Sequence, residues 1–230
     1  MSAGVARMAK SFAFAVLALV LSAGGPAIAQ EILPLPKPEP RRSASLEEAL
    51  TRVRTLREYS QQPLLVEELS YVLWAAGGGR YDAVSTASRS YPSAGAIYPT
   101  RLYVLAAGVD GLEPGCYQYL PREHALKLLK GGDLRKEAVE GSPQAGFVRL
   151  APATVVLAAE YDWTSRAFGE RGRVLYVPLD AGHVSQTLRL AAAAAGLAVG
   201  IAGQFDHARI RDILAIREEP LLLLTLGHPR

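Results

Sequence analysis

The sequence predicts an α+β domain, in which helices pack against a hairpin-rich sheet. Segments with apolar residues every three or four positions, typical of helices, are mixed along the chain with short runs typical of strands. The turn-forming stretches GVDG and PRE separate several of those runs by only a few residues, which favours hairpins. Half of the 230 residues are hydrophobic, so the chain can bury a substantial core.

Five helices are predicted, mainly from apolar spacing. In the first, Leu46, Leu50, Val53 and Leu56 recur every three or four residues. The second, VEELSYVLWAA, is followed by three glycines that would end it. The third would begin with Asp133 as its N-cap, and the fourth is a long segment of small residues. The predicted helices cover residues 46–58, 66–76, 133–140, 180–196 and 206–213.

Five strands are predicted from short apolar runs bounded by turn residues. They cover residues 101–107, 116–120, 125–129, 154–160 and 221–227. The fourth, TVVLAAE, is expected to be buried, and the last, LLLLTLG, is an apolar terminal strand. A long loop rich in serine, glycine and tyrosine leads from the second helix to the first strand.

Residues 1–29 have the composition of a secretory signal peptide. Arg7 and Lys10, with no acidic residue, precede an apolar run of about ten residues, and the segment closes on AIA. The run is too short for a bilayer-spanning helix, which needs roughly 20 residues. We therefore expect cleavage after Ala29 and a periplasmic or secreted protein with no membrane span after cleavage. An uncleaved anchor is the alternative.

Residues 30–45 contain PLPKPEP, whose alternating prolines favour an extended linker and are incompatible with a helix or a central strand. The globular domain is expected from residue 46 to residue 230. The whole chain has 25 basic and 22 acidic residues, but without the leader it has 23 basic residues and a net charge of +1. The domain is therefore nearly neutral, and no nucleic-acid partner is expected.

Several common functional motifs are absent from the sequence. There is no nucleotide P-loop, and the GGG at 77–79 follows a predicted helix rather than opening a dinucleotide-binding unit. Ser93 lacks the first glycine of a hydrolase nucleophile elbow. The four histidines form no H-x-x-x-H pair and the chain has one cysteine, Cys116, so no metal site and no disulfide framework is predicted.

Four segments remain as candidates for ligand binding. The first, RTLREY (54–59), offers two guanidiniums and a hydroxyl that suit phosphate oxygens, although in isolation a solvated helix face is the simpler explanation. The second, RSYPSAGAIYP (89–99), either exposes backbone N–H groups to a planar ligand or is a turn-rich connection. The third and fourth are AVGIAGQF (198–205) and LTLGHPR (224–230).

These segments, in this order and together with LSYVLWAAGG, VDGLEPGCYQY and FGERGRVLYVPLDAGHVSQTL, resemble the nitroreductase-like FMN flavoprotein superfamily and its SagB-type dehydrogenase branch. The resemblance covers residues 49–229. It implies a nitroreductase-like fold with a central mixed or antiparallel sheet surrounded by helices. It further implies non-covalent FMN and a homodimer whose flavin sites lie at the subunit interface.

The resemblance also assigns cofactor contacts residue by residue. The residues expected to contact FMN are Arg54, Thr55, Arg57 and Arg230 at the phosphate, Ser93, Ala94 and Gly95 along the isoalloxazine and ribityl chain, and Ile201, Ala202 and Gly203 near the ring. One departure concerns the phosphate stretch, where Val53 stands in place of the usual leading arginine.

A second departure concerns the chemistry. Peptide azoline dehydrogenases of this branch are expected to carry Lys-Tyr before G-E-R, but this chain has Ala167-Phe168 there. Neither side chain can transfer a proton, so azoline formation is not expected and no catalytic residue is assigned. Glu170 and Arg171 are interpreted as a structural ion pair.

The function predicted on this basis is an exported FMN-dependent oxidoreductase that transfers hydride through flavin N5. NAD(P)H or a redox protein would be the electron donor, and a small molecule of unknown identity would be the substrate. Two alternatives stay open. One is a catalytically degenerate protein that binds a flavin or another planar ligand, and the other is an envelope interaction protein that has kept only the fold.

Overall fold

The computed structural model of the chain describes residues 31–38, 44–79 and 89–230. The predicted signal peptide and its cleavage site after Ala29 lie outside these residues, as does part of the predicted linker. In the part of the chain that is described, no helix is both long and apolar enough to cross a membrane.

Nine strands are present in the described residues. They are β1 (Ile32–Pro34), β2 (Leu64–Leu65), β3 (Thr100–Ala106), β4 (Val109–Asp110), β5 (Gly115–Leu120), β6 (Ala125–Gly131), β7 (Ala153–Ala159), β8 (Ala198–Ala202) and β9 (Glu219–Gly227). Seven of them form one sheet in the order β1-β6-β5-β3-β7-β9-β8, and every neighbouring pair in it is antiparallel. The two short strands β2 and β4 pair separately in parallel.

Seven α-helices accompany the sheet. They are α1 (Leu46–Arg52), α2 (Val66–Gly77), α3 (Arg135–Ala138), α4 (Ala145–Leu150), α5 (Tyr161–Phe168), α6 (Val177–Ala194) and α7 (His207–Leu214). A 3-10 turn at Ala94–Ala96 precedes β3, and a π-helical turn at Gly172–Tyr176 leads from α5 into α6.

The core lies on both faces of the sheet, because successive side chains of each strand point to opposite faces. In β7, Val155 and Leu157 join a buried cluster with side chains of α2 and α6. Val156, between them, joins a second cluster with Ile210 of α7. Helices therefore cover the sheet from both sides, and all seven residues of β7 are buried, as expected from its apolar sequence.

The first predicted helix is shorter than expected. α1 ends at Arg52, and Val53 already has an extended backbone. Beyond it, Thr55 forms a bridge with Val199, and the amide of Leu56 donates to the carbonyl of Val199 at 2.8 Å. The apolar spacing was misleading over the second half of this segment, because pairing with β8 overrides the helical preference.

The third and fourth predicted helices differ at their ends. α3 is confined to Arg135–Ala138 with Leu134 as N-cap, although the Asp133 carboxylate accepts from the amide of Arg135 at 3.1 Å. α6 begins before Asp180, at Val177, and has a proline in its first turn, where the missing N–H does not interrupt a helical hydrogen bond.

Two helices, α4 and α5, and two strands of the seven-stranded sheet, β1 and β8, were not predicted. α4 and α5 are only six and eight residues long, so they give little periodic signal. α5 exposes both of its large apolar side chains, with Trp163 43% and Phe168 38% accessible, and so lacks the buried stripe that periodicity detects. β8 is the short run AVGIA, which contains an internal glycine and so gives little strand signal.

Part of the predicted linker belongs to the sheet. Ile32–Pro34 pairs antiparallel with β6 as an edge strand, and the amide of Leu35 donates to the carbonyl of His124 at 3.0 Å. Pro34 is tolerated there because an edge strand has one side without a partner. The segment is extended, as predicted, but it is docked on the domain rather than free of it.

Candidate functional site

Three of the four candidate segments meet at the β8 edge of the sheet. Thr55 of the first segment pairs with Val199 of the third. Tyr59 pairs with Pro229 of the fourth, and the amide of Ser60 donates to the carbonyl of His228 at 2.9 Å. The strand pairing of β8 with β9 completes the contact. Segments separated by more than a hundred residues in sequence thus form one continuous surface.

The buried hydroxyl of Thr225 holds these segments together. Thr225 Oγ1 accepts from the amide of Gly200 at 3.1 Å, donates to the carbonyl of Gly200, and is hydrogen-bonded to the hydroxyl of Tyr59. A Cβ on Gly200 would lie 2.6 Å from that oxygen and 3.0 Å from the carbonyl oxygen of Leu56. Burial raises the pKa of Tyr59, so its hydroxyl stays protonated at neutral pH. Glycine at position 200 is therefore required by the close approach of the 54–59 segment.

The 54–59 segment and the C-terminal residue carry exposed guanidinium groups. Arg54, Thr55, Arg57 and Arg230 are all exposed. The Arg57 guanidinium lies 5.2 Å from the centre of the Phe147 ring, which holds it in place, whereas Arg54 makes only a long contact of 3.4 Å to a neighbouring carbonyl. Across the described ranges, none of these three arginines forms a salt bridge. They are available to an anionic ligand.

The third segment offers mainly backbone to a ligand. Ala202 is buried and Ile201 is half-buried, and both pair with β9. Gly203 follows the end of β8 and is exposed, and the nearest atom to a Cβ built on it is 3.8 Å away. The backbone at Gly203 is therefore open to the close approach of a flat ligand.

The second candidate segment, which contains Ser93–Gly95, lies elsewhere and packs on α6 and α5. Ser93 Oγ donates to the carboxylate of Asp180, and it accepts from the amide of Tyr98 at 2.9 Å. A Cβ on Gly95 would lie 3.1 Å from the ring of Phe168. The hydroxyl of Ser93 thus shapes the loop through bonds within the chain.

This loop is conformationally strained. Gly95 has φ of 60°, and the non-glycine residues Ala96 and Tyr98 have φ of 53° and 51°. Left-handed backbone at residues with a Cβ costs roughly 1–3 kcal/mol each and is concentrated at functional sites. The carboxylate of Asp180 supports the loop, and burial raises its pKa above the ordinary value despite the hydrogen bond from Ser93.

Asp180 was not predicted as a site residue. It is buried in the first turn of α6, where an unpaired carboxylate would be costly. The available signal was an acidic residue within the otherwise apolar stretch VLYVPLDAG. The neighbouring His183 Nδ1 lies 3.2 Å from the carbonyl oxygen of Pro92, so α6 contacts the loop at two points.

Phe168 occupies the position where the azoline dehydrogenases are expected to have a tyrosine. Its ring meets Tyr176 edge-on, with ring centres 5.0 Å apart, and lies beside Gly95. The predicted ion pair next to it is wrong, because the Arg171 guanidinium lies over the Tyr176 ring at 5.8 Å and forms no salt bridge with Glu170. The partner of Arg171 is therefore an aromatic ring of the adjoining π-helical turn.

Comparison with known proteins identifies the family. The pattern of the nitroreductase family matches residues 50–228 of the chain. The nitroreductase-like protein MJ1384 of Methanocaldococcus jannaschii is 37% identical over 183 residues, which cover 80% of this chain and 90% of that protein. The chain belongs to the nitroreductase family. It is therefore an oxidoreductase by family.

Solved structures show the same fold as this nitroreductase-family chain. A nitroreductase-like protein from Ralstonia eutropha superposes with a TM-score of 0.75 at 27% identity, over 89% of this chain and 92% of that one. A chain of the Escherichia coli microcin synthetase complex McbBCD superposes with a TM-score of 0.64 at 19% identity, over 92% and 85% of the two chains. The second likeness concerns the fold alone. The predicted mixed α+β nitroreductase-like fold with a large antiparallel sheet is confirmed.

The residues at the β8 edge fit the flavin that the family implies. A flavin mononucleotide combines a phosphate with a flat ring system. Its site therefore needs hydrogen-bond donors for the phosphate and a stretch of backbone that the ring can approach closely. The exposed Arg54 and Arg57 offer guanidinium N–H groups to a phosphate. Gly203, on the same edge, leaves the chain open to a ring. The donor set is therefore compatible with FMN.

Proposed function

We propose that this nitroreductase-family protein is an FMN-dependent oxidoreductase of the SagB-type class. The observation that carries the proposal is the joining of residues 54–60, 198–203 and 227–229 at one sheet edge, where exposed arginines form no salt bridge within the described residues. Segments that are far apart in sequence converge there. They offer guanidinium groups to a phosphate and backbone groups to a ring, as expected for one extended ligand. Bound FMN would supply hydride transfer at its N5 atom.

The chain's own residues have binding and orienting roles. Arg54 and Arg57, with the hydroxyl of Thr55, would bind the phosphate, and Arg230 would assist from the terminus. Arg57 is held over Phe147, so less side-chain freedom is lost on binding than for an isolated arginine. The backbone of Ile201–Gly203 would border the ring.

We further propose a homodimer in which a second copy brings its Ser93–Gly95 loop to the flavin. In one chain this loop packs on α6 and α5, whereas the phosphate residues border β8. Large apolar side chains are exposed on several helices, which suits burial against another copy. They include Leu46 and Leu50 of α1, Phe168 of α5 and Leu179 of α6.

The cellular setting is proposed from the sequence of the leader. We infer export by way of residues 1–29, so that the domain works in the periplasm or outside the cell. The electron donor is then NAD(P)H or another redox protein, and the acceptor is a small molecule. Azoline formation is not proposed, because Ala167 and Phe168 carry no group able to transfer a proton.

The test of the proposal is flavin binding. The exported protein is purified and titrated with FMN, and quenching of flavin fluorescence is followed. We expect saturable binding, and the double variant Arg54→Gln/Arg57→Gln should weaken it by at least about tenfold, since charged hydrogen bonds to phosphate are lost. The matched control is Arg209→Gln, which changes an arginine of α7 that is paired with Glu140. Absence of FMN binding by the unmodified chain would contradict the proposal.

Turnover separates the enzyme from a binding protein. FMN-loaded protein is mixed with NADH, NADPH or dithionite, and flavin absorbance is followed before and after a quinone or nitroaromatic acceptor is added. We expect bleaching followed by reoxidation. Bound FMN that none of these reagents cycles would support the alternative of a degenerate flavin-binding protein.

A further inference from the structure

A cavity that includes none of the proposed phosphate-binding residues combines arginines with aromatic rings. Its volume is about 510 Å³, and it lies where the start of β3, the end of β5 and α5 come together. The charged and aromatic residues lining it include Arg89, Arg101, Arg122, Tyr98, Tyr119 and Trp163. Cavities of this size accommodate a small organic molecule.

The cavity carries excess positive charge. One carboxylate, that of the exposed Glu123, accompanies three arginines in the lining described. None of the three arginines forms a salt bridge within residues 31–38, 44–79 and 89–230. Burial, and then the like charge of Arg89, lowers the pKa of Arg101, while Glu218 partly offsets this. An anion placed between the two guanidiniums would relieve their repulsion.

Both inner guanidiniums are already held in position. Arg101 lies over the Trp163 ring at 4.4 Å, and its Nη1 donates to the carbonyl of Thr100 at 3.1 Å. Arg89 lies over the Tyr98 ring at 4.8 Å, and its Nη1 donates to the hydroxyl of Tyr91 at 2.8 Å. A guanidinium stacked on a ring keeps N–H groups at its edge for a carboxylate.

The wall of the cavity continues into the strained loop. Ala96, Ile97 and Tyr98 line it and directly follow Gly95, which is expected to border the flavin. Apolar surface from Ile97 and Leu120 lies beside the arginines, so the cavity suits a molecule with both an apolar body and a negative group.

We propose that this cavity binds an organic anion with a planar apolar body, such as an aromatic carboxylate, and presents its carboxylate to Arg89 and Arg101. The proposed binding of the anion follows from the geometry of the cavity and does not depend on the flavin. Its assignment as the substrate site rests on the proposed flavin function, because it depends on the neighbouring loop bordering FMN.

The binding test uses Trp163 as a local reporter. The chain has two tryptophans, so Trp74→Phe in the full-length protein leaves Trp163 as the sole tryptophan, which is excited selectively at about 295 nm. Benzoate is titrated against its neutral counterpart benzamide, and calorimetry on the unmodified chain provides the same comparison. We expect benzoate to change the fluorescence saturably, with benzamide binding at least about tenfold more weakly.

Variants locate the site. Arg101→Gln and Arg89→Gln should each weaken benzoate binding by roughly tenfold or more and leave benzamide unchanged. Arg101 also packs on Trp163, so Arg89→Gln is the variant that leaves this contact intact, and far-ultraviolet circular dichroism checks folding of both. Arg209→Gln should bind like the parent. Equal binding of benzoate and benzamide, no effect of either variant, or equally tight binding of inorganic phosphate would overturn the proposal.

A turnover comparison distinguishes this proposal from the flavin function. With FMN-loaded protein, Arg101→Gln should raise the KM for 4-nitrobenzoate by about tenfold and leave that for 4-nitrobenzamide unchanged. Flavin turnover without selective benzoate binding would overturn the anion site alone. Benzoate binding without flavin binding would overturn the flavin function and the substrate assignment, but not the anion site.

Discussion

The hydroxyl of Tyr59 is hydrogen-bonded to Oγ1 of Thr225 inside the core, although the two residues are 166 positions apart. The same oxygen bonds both the amide and the carbonyl of Gly200. One threonine therefore connects the segment that carries Arg57, the β8 edge and the terminal strand. The position of the proposed phosphate residues depends on this buried bond.

Replacing Thr225 with valine should weaken both folding and flavin binding. Valine has nearly the same shape but leaves the amide of Gly200 and the hydroxyl of Tyr59 buried without this partner. We expect the free energy of unfolding to fall by about 1–3 kcal/mol, measured by urea denaturation. The FMN dissociation constant should rise as well. Thr225→Ser, which keeps the hydroxyl, should stay closer to the parent in both measurements, and equal losses in the two variants would contradict this role.

Gly200→Ala tests the same contact by steric means. The added methyl group would lie 2.6 Å from Thr225 Oγ1 and 3.0 Å from the carbonyl oxygen of Leu56, so the 54–59 segment must move. We expect a loss of about 1–3 kcal/mol in unfolding free energy together with weaker FMN binding. Gly182→Ala, on α6 with no atom near the added group, is the matched control and should be neutral or stabilising. Unchanged FMN affinity in Gly200→Ala would show that the segment need not be held closely.

Local patterns predicted the long elements well, since α2, α6, β3 and β7 each carry a strong periodic or apolar signal. They could not predict where α1 ends, because the backbone of Leu56 pairs with Val199, far away in sequence. They also missed β8, whose five residues give little strand signal of their own and pair with β9. Local apolar spacing carries no information about pairing between segments that are distant in sequence.

The candidate site divides in the same way. Arg54 and Arg57 could be selected from residue chemistry and Gly203 from the family resemblance, and the structure places them on one edge of the sheet. Asp180 could not, because its importance comes from burial beside Ser93. The family resemblance assigns Ser93 to the cofactor, and within the chain the hydroxyl of Ser93 holds the loop through Asp180.

Asp180 should make folding stability depend on pH in the opposite sense to an ordinary paired carboxylate. Its pKa in the folded chain is raised above 3.8, mainly by burial. The folded state therefore binds the proton more tightly than the unfolded state. The stabilising contribution is fully present below that ordinary pKa and is lost as the pH rises through the folded pKa.

Asp180→Asn should remove that pH dependence while keeping an oxygen that accepts from Ser93. Urea unfolding at several pH values from about 4 to 7 should show the parent losing stability relative to the variant as the pH rises. The exposed Asp110→Asn is the control and should track the parent. A parent that gains stability over Asp180→Asn across this range would reverse the sign and refute the expectation.

His124 should make the docking of the predicted linker sensitive to acid. Its Nε2 lies 2.7 Å from Ser70 Oγ and 3.1 Å from the carbonyl oxygen of Pro36, and its Nδ1 lies 2.9 Å from the Tyr119 hydroxyl. Burial lowers its pKa below 6.5, and the hydrogen bond to Pro36 offsets this only in part. The neutral ring is the form that the folded chain favours, so its contribution is present above 6.5 and is lost as the pH falls through the folded pKa.

Hydrogen exchange can detect this loss at the edge strand. The amide of Leu35 donates to the His124 carbonyl and the amide of Leu128 donates to Glu31, so both report on docking of residues 31–36. After correction for intrinsic rates, their protection should fall between about pH 7.5 and 5, while that of the central strand β7 should not. His124→Asn keeps a residue that tolerates the positive φ of 46° but does not titrate. In this variant the same amides should be less protected at neutral pH and should not lose further protection on acidification, because the ring that takes up the proton is gone; a parent-like fall would assign the effect to another group.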